Sequence, residues 1–198
     1  MTKARMIALG ALVAGALAAP ACGAAGAQTT AGQRGDVPAD MHDELRDVRR
    51  ATRAYKDVKA AEAAGYVPAG PCAEDPKYGG MGFHYENRAL IEDGELDPLR
   101  PEVLVYQPTK NGELRLGAVE YFQIDDDQDL ATDDDRPWLF DVPFDGPMLG
   151  HSPTMPIHYD LHVWLYRHNP AGIFAMWNPR VSCTAPPAAS AAEEVTQR

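Results

Sequence analysis

The sequence predicts an α+β fold in which one long N-terminal amphipathic helix packs on a mainly antiparallel sheet. Three observations lead there. Met41, Leu45, Val48, Thr52, Tyr55 and Val58 recur at the i, i+3, i+4 spacing of a helix, with charged residues between them. PEVLVYQP (101–108) and LRLGAVEYF (114–122) are β-branched and aromatic runs joined through Asn111-Gly112, a strong hairpin turn. HYDLHVWLYRH (158–168) alternates, with Tyr159, Leu161, Val163 and Leu165 on one face and His158, Asp160, His162 and Trp164 on the other.

At the N-terminus, Lys3 and Arg5 precede an uncharged run over residues 6–19. That run is short for a bilayer span but suits the apolar core of a signal peptide. Ala25-Gly26-Ala27 offers the small residues that signal peptidase reads, so residues 1–27 are expected to be removed and the protein exported, periplasmic or extracellular. A competing reading cleaves at Ala21 and lipidates Cys22, but Ala19 stands where a lipoprotein signal carries a bulky aliphatic residue. The mature form is expected to have no transmembrane segment. Residues 28–37 read as a flexible polar lead, 38–183 as a single α+β domain, and 184–198 as a disordered tail of alanine, proline, serine and charge.

Within the domain, Asp40 reads as the cap of the long helix, with Asp43 and Glu44 in its first turn, and Gly65 as its stop. GIFAMW (172–177) reads as a fourth strand. Seven aspartates fall in the eleven positions from Asp125 to Asp135. Asp125, Asp127 and Asp129 invite comparison with an EF-hand loop, yet Leu130 stands where that turn needs glycine and Arg136 where a bidentate glutamate belongs. The run is therefore read as a solvated, self-repelling insertion, with weak, nonspecific Ca²⁺ association as the alternative.

The chain has 18 Lys and Arg against 29 Asp and Glu, a net charge of -11. Residues 1–27 hold two of the bases and no acids, so the mature protein is more acidic still. Such a surface repels phosphate backbones and anionic headgroups, which excludes nucleic acid and leaves a small molecule or metal ion as partner. No G-x-S-x-G elbow, phosphate loop or strand-borne G-x-G-x-x-G is present, which argues against serine hydrolase, NTPase and Rossmann readings. In an exported chain Cys72 and Cys183 pair by default, which removes both thiols from catalysis.

On a helix, His158 and His162 would share one face and one ion; on a strand they stand about 13 Å apart, too far to do so. Their partners must come from other segments. YGGMGFHYEN (78–87) sets three glycines before His84, places Glu86 on the same face and offers Asn87 as cap of a short helix, RALIEDG. Glu120 and Glu102 are acids inside apolar strand patterns, where an unpaired carboxylate is expensive to bury. His151 lies in a proline- and glycine-rich loop leading into the third strand.

The leading reading is a divalent transition-metal site (Zn, Mn, Fe or Cu) held by His84, His162 and Glu120, with His158 and His151 as further candidates and Glu102 a weaker one. Any activity would be metal-assisted, though the sequence names no reaction and leaves open whether the protein is an enzyme. His42 and His168 are expected in solvent. The competing reading is a noncatalytic binding or structural module. There the His and Glu residues form a hydrogen-bonded network, and Phe83, Tyr85, Tyr121, Trp164 and Trp177 line an aromatic ligand cleft.

AAEAAGYVP, GMGFHYEN, LDPLRPEVLVY, LGAVEYF and HYDLHVWLYRHNPAGIFAMWNPRVSC together resemble a group of exported, uncharacterised bacterial proteins. The resemblance runs from about Tyr55 to Cys183, leaves out the aspartate-rich insertion, and implies export without implying an activity.

Overall fold

The computed structural model describes residues 39–152 and 154–184. The expected signal peptide, Cys22, the lead 28–37 and all of the tail beyond Thr184 lie outside the described residues. Among the described residues, no helix is long and apolar enough to cross a membrane.

The helical stripe is present, but not as one helix. It forms α1 (Ala39–Ala51), a 3₁₀ turn (Arg53–Lys56) and α2 (Val58–Ala63), and Asp40 lies inside α1 rather than at its cap. The break has a local and a tertiary cause. The N–H and hydroxyl of buried Thr52 both donate to the Val48 carbonyl, at 2.9 and 2.8 Å. Asp57 then turns extended and caps α2 by accepting from the Lys59 N–H. The Tyr55 carbonyl is thereby free to accept from the hydroxyl of Tyr106, a sheet residue. Leu45, Val48 and Ala61 still face the core, with Met41, Tyr55 and Val58 packed at its margin.

Among the described residues nine strands follow: β1 (Val67–Pro68), β2 (Ala73–Asp75), β3 (Gly79–Glu86), β4 (Val103–Pro108), β5 (Leu114–Ile124), β6 (Trp138–Leu139), β7 (Val142–Pro143), β8 (Asp145–Met148) and β9 (His158–Val163). The main sheet runs β1-β3-β4-β5-β9-β8 with β2 also on β3, and β6-β7 form a separate ribbon. Every pairing is antiparallel. The expected hairpin is β4–β5, with Gly112 at φ 79° in its turn. A six-residue helix, α3 (Arg88–Asp93), follows β3 with Asn87 at its N-cap position, but the Asn87 side chain makes no capping bond and its amide donates to the Ala64 carbonyl.

Both faces of this sheet are covered. On one, the helices pack over Leu104, Tyr106, Val119, Tyr121, Tyr159, Leu161 and Val163; each aliphatic side chain of this size stabilises the fold by roughly 1.5–3 kcal/mol when fully buried. The tyrosines bring polar tips that must be satisfied, and Tyr66 and Tyr121 donate to the Pro101 and Pro98 carbonyls at 2.7 and 2.6 Å. On the other face a smaller cluster holds Met81, Val105, Ala118, Trp164 and Val181, with Met176 and Trp177 beside it.

Two expectations about the C-terminal part are corrected. The third strand ends at Val163, not His168, and residues 172–177 are not a strand. Instead Trp164 donates through its backbone N–H to Ile173 O at 2.8 Å and through its indole to Ala175 O at 2.7 Å. Those two bonds, with Asn169 donating to Trp177 O at 3.0 Å, hold GIFAMW as a loop folded back on Trp164. The chain then makes a bridge between Asn178 and Gly80 and is fastened by a disulfide between Cys72 and Cys183. Gly79 and Gly80 are where this segment crosses β3, and a β-carbon at either would meet its atoms. The glycines before His84 thus permit backbone-to-backbone approach.

Candidate metal centre

His84 on β3, Glu120 on β5 and His162 on β9 come together on the face of the sheet opposite the helices. Register explains the meeting. Glu120 pairs directly with His162, while Val103 and Val105 of β4 lie between Glu120 and His84. β3 and β5 are two strand spacings apart, about 10 Å, so only long side chains reaching over small ones can touch. His84 Nε2 stands 3.3 Å from Glu120 Oε2, and His162 Nε2 stands 3.6 Å from the same oxygen. One ligand atom from each residue falls within 4.8 Å of the others, a spacing that can hold a metal ion.

These groups are removed from water, and several of their polar atoms lack a hydrogen bond. The side chains of His162, Glu120 and His84 are 0, 6 and 14 % exposed. Glu120 Oε2 and both ring nitrogens of His162 are buried without a hydrogen-bond partner. Leaving such atoms unsatisfied costs on the order of 1–3 kcal/mol each, more when the group is charged. The alternation of β9 therefore holds as the sequence predicts, but its polar face is buried like its apolar one.

Electrostatics separate the two histidines. Burial, and then the neighbouring His162, push His84 down to about 3, so it is a neutral imidazole at physiological pH. For His162 burial works in the same direction, but the Glu120 carboxylate and then Asp160 outweigh it and the net shift is upward. Burial raises Glu120, with His162 opposing. The Glu120–His162 pair thus retains at least one proton that a cation would have to displace.

Asp160 is a residue of the site that sequence reasoning did not single out. Its Oδ1 lies 3.6 Å from His162 Nδ1, and both of its carboxylate oxygens are buried and unpartnered. The signal was present, because Asp160 precedes His162 by two residues on the same strand face. Glu86 is half-buried on the same face of β3, its carboxyl raised by burial.

The remaining candidates lie elsewhere. His158 stacks on Phe122 at 4.6 Å and has Nδ1 3.1 Å from Pro156 O; the exposed His151 meets its edge at 5.3 Å. This pair sits at the end of β9 remote from Trp164, outside the three-residue cluster. Glu102 falls on the Leu104 face, where it accepts from the Phe122 N–H at 3.1 Å. Phe83, Tyr85 and Tyr121 pack in the helix-side core, whereas Trp164 and Trp177 belong to the cluster on the opposite face, so the five do not line one cleft. His42 and His168 are exposed.

What the arrangement can do chemically is bind a cation through two imidazoles and one carboxylate, with Asp160 behind one of the imidazoles. Compared with known proteins, the chain matches no family model, no curated protein and no solved structure.

Proposed function

We propose that the protein is an exported metal-binding protein whose ion, Zn, Mn, Fe or Cu in the divalent state, is held by His84 Nε2, His162 Nε2 and Glu120 Oε2. The observation that carries this reading is the convergence of ligand atoms from three strands, of which Glu120 Oε2 and both His162 ring nitrogens are buried without a hydrogen-bond partner. A fold does not bury that many unsatisfied polar atoms at one point without a compensating partner. Two imidazoles and one carboxylate are a ligand set for zinc in hydrolases and for non-haem iron, and in both cases three protein ligands leave positions for water or substrate. When bound, such an ion polarises a carbonyl or lowers the pKa of a bound water. Export is supported by the Cys72–Cys183 disulfide, a bond of oxidising compartments.

The competing hydrogen-bonded network has less support. In such a network Glu120 Oε2 would accept from a histidine N–H, yet it has no hydrogen-bond partner. The deciding experiment is elemental analysis of protein produced without a histidine tag, before and after reconstitution. One ion per chain is expected, falling to background in His162→Ala and Glu120→Gln. Fewer than about 0.2 ion per chain, unchanged in His162→Ala, would sink the proposal. A noncatalytic network predicts instead that His84→Ala lowers the melting temperature while ion content stays the same.

A further inference from the structure

The aspartate-rich segment between β5 and β6 contains a second set of unpaired acids, separate from the histidine cluster and of different chemistry. Asp125, its first residue, is not in solvent as a charge run would be: it is 1 % exposed, and both of its carboxylate oxygens are buried without a hydrogen-bond partner. Its backbone is tied down by a bond from Asp125 N to Ile157 O at 3.0 Å. The side chains facing it present oxygens, with the Asp129 N–H nearby. Asp135 and Asp127 are its charged neighbours, and the Tyr159 hydroxyl, close to both Asp125 and Asp135, donates to Asp135 Oδ1 at 2.7 Å. Burial, and then these two acids, raise the Asp125 carboxyl.

Among the described residues, the ion pair that reaches the seven aspartates is Arg136 with Asp133 at 3.0 Å. Arg136 otherwise donates to Phe144 O and lies over the Tyr159 ring. Asp127, Asp129 and Asp135 already accept from loop donors: the Asp129 N–H, the Ala131 N–H and the Asp126 N–H respectively. Those bonds fix the loop. They do not reach Asp125, the buried member of the set, whose two carboxylate oxygens have no hydrogen-bond partner.

We propose that residues 125–135 form a Ca²⁺ site in which the buried Asp125 carboxylate and Asp135 are the principal ligands and Asp127 completes the protein's share. The chemistry selects the ion. The donors are all oxygen, with no imidazole or thiolate, which disfavours Zn and Cu and suits the hard cations. The oxygens come from an irregular loop, which suits the adaptable six- to eight-fold coordination of Ca²⁺ better than the rigid octahedron of Mg²⁺. The EF-hand pattern fails here on Leu130 and Arg136, so this is a different loop that uses Asp135 in place of a terminal glutamate. An affinity in the range of extracellular modules, about 10⁻⁴–10⁻³ M, is expected of a site with few enforced ligands.

The test is a CaCl₂ titration of the full protein, with transition metals removed, followed by calorimetry and by melting temperature, against MgCl₂ and NaCl at matched ionic strength. One Ca²⁺ per chain and a saturable rise in melting temperature are expected, at least tenfold weaker in midpoint in Asp125→Asn and Asp135→Asn. Asp125→Asn without Ca²⁺ should melt no lower than the parent, because it removes a buried charge; this shows that its loss of response is not unfolding. His84→Ala should keep the Ca²⁺ response, which separates this site from the histidine cluster. The proposal is overturned by an equal rise in MgCl₂, by no rise beyond that in NaCl, or by an undiminished response in Asp125→Asn.

Discussion

Asp160 Oδ1 stands 3.6 Å from His162 Nδ1, on the ring nitrogen that does not face Glu120, and both side chains are 0 % exposed. A carboxylate in that place favours the tautomer that keeps its proton on Nδ1, leaving Nε2 as the metal-directed lone pair and making it more basic. Asp160→Asn keeps the shape and removes the charge. Metal affinity in a competition assay should fall by about 10–100-fold, with the ion still bound at saturation. A change below about twofold would show that Asp160 serves burial and not the histidine.

Metal affinity should also rise with pH. The ligand atoms must be free of protons, and Glu120 and His162, in contact and both shifted upward, hold at least one proton between them into the neutral range. His84, held down at about 3, is already neutral and adds no slope above pH 5. Between pH 6 and 8 the apparent affinity should rise by at least about tenfold per unit, one proton released per ion being the minimum. Proton release measured in two buffers of different ionisation enthalpy checks this, and zero release would contradict it.

Much of this site was legible because strands have a period of two. That period put His162 and Glu120 on faces of known sense, and the apolar surroundings of Glu120 marked it as an acid without easy access to water. What the sequence could not show was depth. The polar side of β9 is covered by Trp164 and by the C-terminal segment reached through Gly79 and Gly80, contacts far apart in sequence. The broken helix was hidden for the same reason, since the Tyr55 carbonyl finds its acceptor role only with Tyr106, 51 residues on. Helical periodicity reports a face, and that face did survive the break. GIFAMW has strand composition, but two bonds from Trp164 decide its conformation.

Glu102 offers a test that leaves the metal aside. Burial is the main cause raising its carboxyl to about 7, only partly offset by its own backbone N–H and then by the bond from the Phe122 N–H. Against an unfolded value near 4.5, the folded protein keeps a proton that the unfolded chain releases between those two pH values. Stability should therefore fall as pH rises from about 4.5 to about 7, by on the order of 3 kcal/mol from this group. Glu102→Gln cannot ionise and still offers an oxygen to Phe122 N–H. Chemical denaturation at pH 5 and pH 8 should show the variant losing less stability than the parent over that interval. Identical losses would place the pH dependence elsewhere.

The disulfide closes a sequence separation of 111 residues, for which chain entropy gives about 4–5 kcal/mol, with measured losses commonly about 2–5. Cys72→Ser/Cys183→Ser should lower the unfolding free energy accordingly; a loss under about 1 kcal/mol would show that the segment is held without it. Its local effect is more specific. The bond secures a segment that otherwise rests on the Asn178–Gly80 bridge, on Gly80 N–H to Val181 O at 2.9 Å and on Cys183 N–H to Glu74 Oε2 at 3.0 Å. Val181 and Trp177 pack with Trp164, whose ring stacks on His162 at 6.4 Å. Loosening them admits water to His162 and removes the wall that orients it. The double variant, still folded at low temperature, should therefore release its metal to a chelator at least about tenfold faster than the parent, because a water-filled site exchanges ligands that a dry one retains.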